Sequence, residues 1–201
     1  MSDTAPHNPP APTLWLQRHA RPLIAPGTCY GRTNMAADDK ATADAASGLI
    51  GAWREAGLAP GVLWHSPLQR CEQLALAICA LAPDFSKNAH TGLLEMDFGD
   101  WEGQRWDDID RSAIDAWTRD FVHHAPGRGE SLALMMERVA AALDAARAYS
   151  ETSGAPVLWI THAGVIQCAH WLLTRAEREP TAKDWPSVKV AVGDWLRLPL
   201  R

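Results

Sequence analysis

The sequence predicts an α/β domain: a doubly wound, mostly parallel sheet with an antiparallel edge strand and helices on both faces. Three observations carry that expectation. Short apolar runs at Leu14-Trp15-Leu16, Val62-Leu63-Trp64 and Val157-Leu158-Trp159-Ile160 are set off by Pro or Gly and read as buried strands. Stretches with helical spacing of apolar residues lie between them, and strands alternating with helices build such a sheet. Each run also stops at reactive residue types, and in open α/β sheets ligands bind at the carboxyl ends of strands.

A chain of 201 residues, 47% hydrophobic and 21% charged, is long enough for one sizeable core. Its formal net charge of -5 argues against a nucleic-acid-binding surface, so any anion site has to be local. No apolar run approaches the ~20 residues that span a bilayer. Cys29, Cys71, Cys79 and Cys168 form no C-x-x-C pair, and reduced thiols of a cytoplasmic protein are expected. Residues 1–12 carry Pro6, Pro9, Pro10 and Pro12 without the basic and apolar regions of a secretory signal. They read as a disordered Pro-rich tail before a single domain at 13–201.

The first strand ends at Arg18-His19. Arginine presents a rigid fork of donors suited to phosphate, and a neutral imidazole is a nucleophile at physiological pH. A lone strand-end histidine is more often structural, so the reading needs partners. Residues 20–36, with Pro22, Pro26, Gly27 and Gly31, form a loop over the site in which Arg32 and Thr33 offer a cation and a hydroxyl. A helix from about Asp38 to Ala56 buries Leu49, Ile50 and Trp53 and stops at Gly57.

After the second strand, Ser66-Pro67-Leu68-Gln69-Arg70 has helix-start grammar: Ser66 as N-cap, Pro67 at N1 and Gln69 closing a capping box. Arg70 then falls in the first turn, where free N–H groups favour an anion. That helix runs to about Leu81, and a weak strand at 89–91 leads to Glu95. Following Leu93 and Leu94, Glu95 is expected to be partly buried, as suits an acid–base carboxyl. Asp97, Asp100 and Glu102 are expected to be solvated or bonded to local backbone.

Residues 104–122 look helical and polar, with Trp106, Ile109, Ile114, Trp117 and Phe121 as apolar positions. They are expected to form either part of a small lid at about 99–130 or an ordinary core-facing helix pair. His123-His124 read as loop residues. A long helix follows Ser131 to about Tyr149, and the strand at 157–160 ends in Thr161-His162-Ala163-Gly164 before a helix from Val165 to about Thr174. Segments 187–192 and 195–198, joined at Gly193-Asp194, carry a hairpin signal for the antiparallel edge.

Four motifs, Arg18-His19-Ala20, Ser66-Pro67-Leu68-Gln69-Arg70, Leu94 to Gly103, and Thr161-His162-Ala163-Gly164, occur in that order over about residues 14–175. Together they resemble the histidine phosphatase superfamily, with its phosphoglycerate-mutase-like fold. The resemblance implies that His19 becomes a phosphohistidine, while Arg18, Arg70 and His162 hold the phosphoryl oxygens. It implies that Glu95 protonates the leaving alkoxide and then activates water. No metal and no cofactor are implied, because cations of the chain supply the field.

Within the superfamily, the Cys29 to Asn34 loop and short lid most resemble α-ribazole phosphatases, which implies hydrolysis of α-ribazole 5′-phosphate in cobalamin biosynthesis. Arg32, Thr33 and Gly164 are then substrate-binding candidates, and Trp101 or Trp106 are candidates for stacking on a base. Two positions depart from the pattern: Asn34 stands where aspartate is usual, and Arg128 interrupts a usual Pro-Gly-Gly-Glu-Ser. The alternatives are a broad-specificity small-molecule phosphatase, a phosphoglycerate mutase and a non-catalytic phosphate-binding module. Mutases of this fold carry a longer insertion with adjacent arginines, which the stretch from Trp101 to Glu130 lacks. The expected partner is a small phosphorylated metabolite, with no nucleic acid and no membrane.

Overall fold

The computed structural model describes residues 13–175, 178–185 and 188–200; the tail at 1–12 lies outside them. Five strands form one sheet: β1 (Thr13–Arg18), β2 (Val62–His65), β3 (Ser86–Ala89), β4 (Val157–Thr161) and β5 (Trp195–Pro199), in the order β3-β2-β4-β1-β5. β3, β2, β4 and β1 are parallel, and β5 runs antiparallel to β1. Period-2 alternation sends Leu14, Leu16, Val157 and Trp159 to one face and Trp15, Leu63, Leu158 and Ile160 to the other. Both faces are covered, which is why these strands read as continuous apolar runs.

Helices α1 (Asp39–Glu55) and α2 (Gln69–Leu81) cover the Trp15 face with Leu49, Trp53, Leu74 and Ile78. Helices α4 (Leu132–Ser153) and α5 (Ala163–Thr174) cover the other, with Met135, Val139, Leu143 and Ile166. Asp38 caps α1 through Ala41 N (2.8 Å), and Ser131 caps α4 through Leu134 N (3.3 Å). Residues 99–130 are mostly short turns around α3 (Arg111–Arg119), with Cys29, Trp101 and Ile109 in a satellite cluster. The helical stretch expected over 104–122 is therefore shorter. Among the described residues, no helix is long and apolar enough to cross a membrane.

Three local expectations are corrected. α2 starts at Gln69, because Leu68 is extended (φ -69, ψ 137), so Ser66 and Gln69 form no capping box. The free Gln69 N–H is instead capped from outside by Asn34 Oδ1 at 2.8 Å, a task a side-chain carbonyl oxygen can do. The strand expected at 89–91 lies at Ser86–Ala89, a polar edge strand whose sequence has no apolar run to mark it. The 187–192 arm of the expected hairpin forms no strand at 188–192; residue 187 lies outside the described residues. Its backbone groups are taken by side chains: Gln167 bonds Val188 N and O, and Arg18 Nη1 donates to Val190 O. β5 supplies the antiparallel edge alone.

Candidate active site

β1 and β4 are parallel neighbours with Arg18 opposite Thr161, so the residues that follow, His19 and His162, emerge side by side. Their rings meet edge to face at 5.2 Å between centroids. β2 lies beside β4, which brings Ser66 Oγ to 2.8 Å from His162 Nε2 and puts Arg70 in the first turn of α2. Register alone therefore gathers residues more than 140 positions apart.

His19 is 1% exposed, and its Nδ1 lies 2.7 Å from Ala20 O. A carbonyl only accepts, so Nδ1 donates and Nε2 keeps its lone pair. Burial, then the Arg70 and Arg18 charges, lower the imidazole pKa to about 3, against an opposing pull from the Ala20 carbonyl. His19 is thus neutral despite lying among cations. Burial, helped by His19 and Arg70, likewise holds His162 neutral.

The two arginines are partly spoken for. Arg70 is fully buried, donates to Thr33 O (2.8 Å) and Gly31 O (2.7 Å), and lies over the Tyr30 ring at 5.2 Å. Arg18 holds Val190 O at 3.0 Å. Both keep an Nε–H that is buried without a partner. Buried charged donors are rarely left unmatched, and anion oxygens in front of His19 would match them.

Glu95 is half-buried as expected. Its Oε1 accepts from Met96 N and its Oε2 from Gly164 N, each at 3.0 Å. Any Cβ at Gly164 would collide with this carboxylate, so glycine lets the acid reach the N-terminus of α5. Gly164 holds the acid through its backbone. Beneath the site, Cys71 Sγ sits 3.5 Å from His162 Nε2, and burial pushes its thiol up, so it packs as a neutral group.

Arg18, His19, Arg70, Glu95 and His162 are therefore brought together, whereas Arg32, partly buried, and Thr33, at the surface, are engaged by carboxylates of other segments. Arg32 donates to Glu95 O (3.3 Å) and Glu130 Oε1 (3.1 Å) and pairs with Asp97 at 3.7 Å. Thr33 bonds Glu102 through both its N–H and its hydroxyl. Glu102 accepts from local backbone as expected, at Phe98 N (3.1 Å), and it also clasps this loop from 70 residues away, accepting from Arg32 N at 2.7 Å. Trp101 is 7% exposed and packs with Cys29 and Ile109, so it is core; Trp106 stays near the surface. Arg128 adopts φ 63, a conformation natural to glycine, and its side chain pairs with Asp100.

Sequence reasoning missed Glu130 and Arg138. Arg138 chelates Glu130 (2.7 and 2.8 Å) and donates to the carbonyls of Gly92, Leu94 and Glu95 (2.9, 2.6 and 3.2 Å). The available signal was a charged residue on the Met135-Val139 apolar stripe of α4. Two cavities flank Ala163-Gly164. One of about 240 Å³ is lined by Glu95 and aromatic side chains, the other, of about 570 Å³, by Arg18, Gln167 and Lys189.

The family model of the histidine phosphatase superfamily (branch 1) matches residues 14–189. The chain belongs to the histidine phosphatase superfamily. Solved structures with the same fold include the α-ribazole phosphatase from Shigella flexneri, 24% identical over 92% of this chain and 89% of that one, with a TM-score of 0.73. A mycobacterial glucosyl-3-phosphoglycerate phosphatase solved with inorganic phosphate is 22% identical over 93% and 89%, with a TM-score of 0.75. A protein from Thermus thermophilus is 28% identical over 92% of each chain, with a TM-score of 0.64. No curated sequence matches. As a member of this superfamily, the protein is a phosphatase.

Proposed function

We propose that this enzyme is a metal-independent phosphomonoesterase that works through a phosphohistidine at His19, with α-ribazole 5′-phosphate as its preferred substrate. The observation that carries the mechanism is the neutral, buried His19, its Nε2 free, between two arginines whose Nε–H groups are unpartnered. In the first step Nε2 attacks phosphorus and the bond to the ester oxygen breaks. Glu95 in its acid form gives that oxygen its proton. In the second step Glu95 takes a proton from water, the water oxygen bonds to phosphorus, and the P–N bond breaks to release inorganic phosphate. Arg18, Arg70 and His162 stabilise the charge spread over the phosphoryl oxygens in both steps.

The substrate assignment is supported by the loop from Cys29 to Asn34 and by a fold shared with the Shigella enzyme. Four free cysteines support a reducing, cytoplasmic compartment. The test is kcat/KM for α-ribazole 5′-phosphate beside 3-phosphoglycerate and p-nitrophenyl phosphate, with His19→Ala as the blank. A strong preference for the ribazole ester is expected; similar modest rates on all three would remove the substrate assignment and keep the chemistry.

A further inference from the structure

We infer that the leaving group of the natural substrate carries a planar apolar ring, seated beside Glu95 against Phe98, Trp117, Phe121 and Trp185. The inference rests on Glu95 acting as the general acid. An acid has to reach the ester oxygen, so the leaving group lies on the Glu95 side of the phosphoryl site. Of the two cavities flanking Ala163-Gly164, the one of about 240 Å³ is lined by Glu95 and the one of about 570 Å³ is not.

The walls of the smaller cavity choose among substrates. Besides Glu95 it presents Phe98, Trp117, Phe121 and Trp185, with Leu132 and Met135, and no lysine or arginine. A carboxylate or second phosphate on the leaving group would lose its hydration there without gaining a counter-charge. A bare sugar would find only the Glu95 carboxyl to pair its several hydroxyls. The rings run as a chain of edge-on and tilted contacts, Phe98 to Trp117 at 5.9 Å, Trp117 to Phe121 at 5.6 Å and Phe121 to Trp185 at 6.0 Å, to which a ligand ring can add one more aromatic contact. The volume suits one ring system rather than a long chain. Cationic contacts lie in the other cavity, with Arg18 and Lys189.

The experiment compares three esters of primary alcohols, 2-naphthylmethyl phosphate, glycerol 1-phosphate and 3-phosphoglycerate, on the purified full chain. Their leaving alcohols need an acid to a similar degree, so rate differences report recognition. The naphthylmethyl ester should exceed glycerol 1-phosphate in kcat/KM by about 30-fold. Phe121→Ala and Trp185→Ala should each cut that ratio about 10-fold, mainly through KM, and Phe121→Tyr should restore it. Preference for 3-phosphoglycerate, a ratio near one, or a ratio unmoved in both alanine variants overturns the inference while His19-dependent turnover of p-nitrophenyl phosphate keeps the phosphatase reading. Absence of turnover on every ester, p-nitrophenyl phosphate included, removes both.

Discussion

Replacing Arg138 with Met should damage both stability and the acid step, although Arg138 is placed outside the reacting groups. Its side chain is 18% exposed and that of its partner Glu130 is 10% exposed. Arg138→Met removes five hydrogen bonds, two to Glu130 and three to the carbonyls of Gly92, Leu94 and Glu95. Leaving one member of a buried pair uncompensated costs about 3–5 kcal/mol. Arg32 still reaches Glu130 at 3.1 Å, which places the expectation near 3 kcal/mol. For a chain of this size that is a fall in Tm of about 6–12 °C.

The same carbonyls fix the backbone that carries the Glu95 carboxylate. With them released, kcat on an alkyl phosphate should fall about 10-fold, while p-nitrophenyl phosphate, whose leaving group hardly needs a proton, loses less than about 3-fold. Glu95→Gln sets the scale, with a loss of about 100-fold or more confined to the alkyl ester. Adding Glu130→Gln to Arg138→Met should recover part of the stability, since the stranded carboxylate is gone. Circular dichroism melts and paired kinetics measure both effects. A Tm within about 2 °C of the parent, or equal losses on both esters, would refute the assigned role.

Acid should destabilise the fold through its buried histidines. His19 has a native pKa of about 3 and His162 is lowered as well, whereas both approach 6.5 when unfolded. Below pH 6.5 the unfolded chain therefore binds more protons, and stability falls as pH drops, by up to about 1.4 kcal/mol per unit for each histidine. Urea titrations between pH 6.5 and 4.5 should show a shallower slope for His19→Gln; parallel slopes would contradict the neutral assignment. Asn34→Ala should cost about 1 kcal/mol by uncapping α2, and Asn34→Asp should gain up to about 0.5 kcal/mol from the helix dipole. Denaturant midpoints check both, and an unaffected Asn34→Ala protein would mean that the cap carries no stability.

The layered fold and the gathering of Arg18, His19, Arg70 and His162 at one end of the sheet were legible because two strong signals coincide. Strands buried on both faces leave unbroken apolar runs, and parallel register brings the residues after each run to one end of the sheet. Arg18, His19, Arg70 and His162 therefore fall together once the strands are found. What was not legible depends on contacts between distant segments. Glu102 lies beside Asp100 and Asp97 in sequence, and nothing local shows that it reaches the 31–33 loop. Arg32 reads as a free cation until Glu130 and Asp97 are seen around it. Ser66 and Gln69 have the composition of a capping box, yet a side chain from another loop does the capping. The 188–192 segment has strand-like composition, but Gln167 and Arg18 take the backbone groups a ladder would need. Local pattern gives elements; side-chain clasps between loops emerge only in three dimensions.

In the proposed mechanism His19 carries the phosphoryl group. Rapid quench of the enzyme with a ³²P-labelled phosphomonoester, followed by gel analysis and peptide mapping, tests it most directly. An acid-labile, alkali-stable label is expected on the peptide containing His19, formed as fast as the first turnover and absent from His19→Asn. Label on another residue, or normal turnover by His19→Asn, would contradict it.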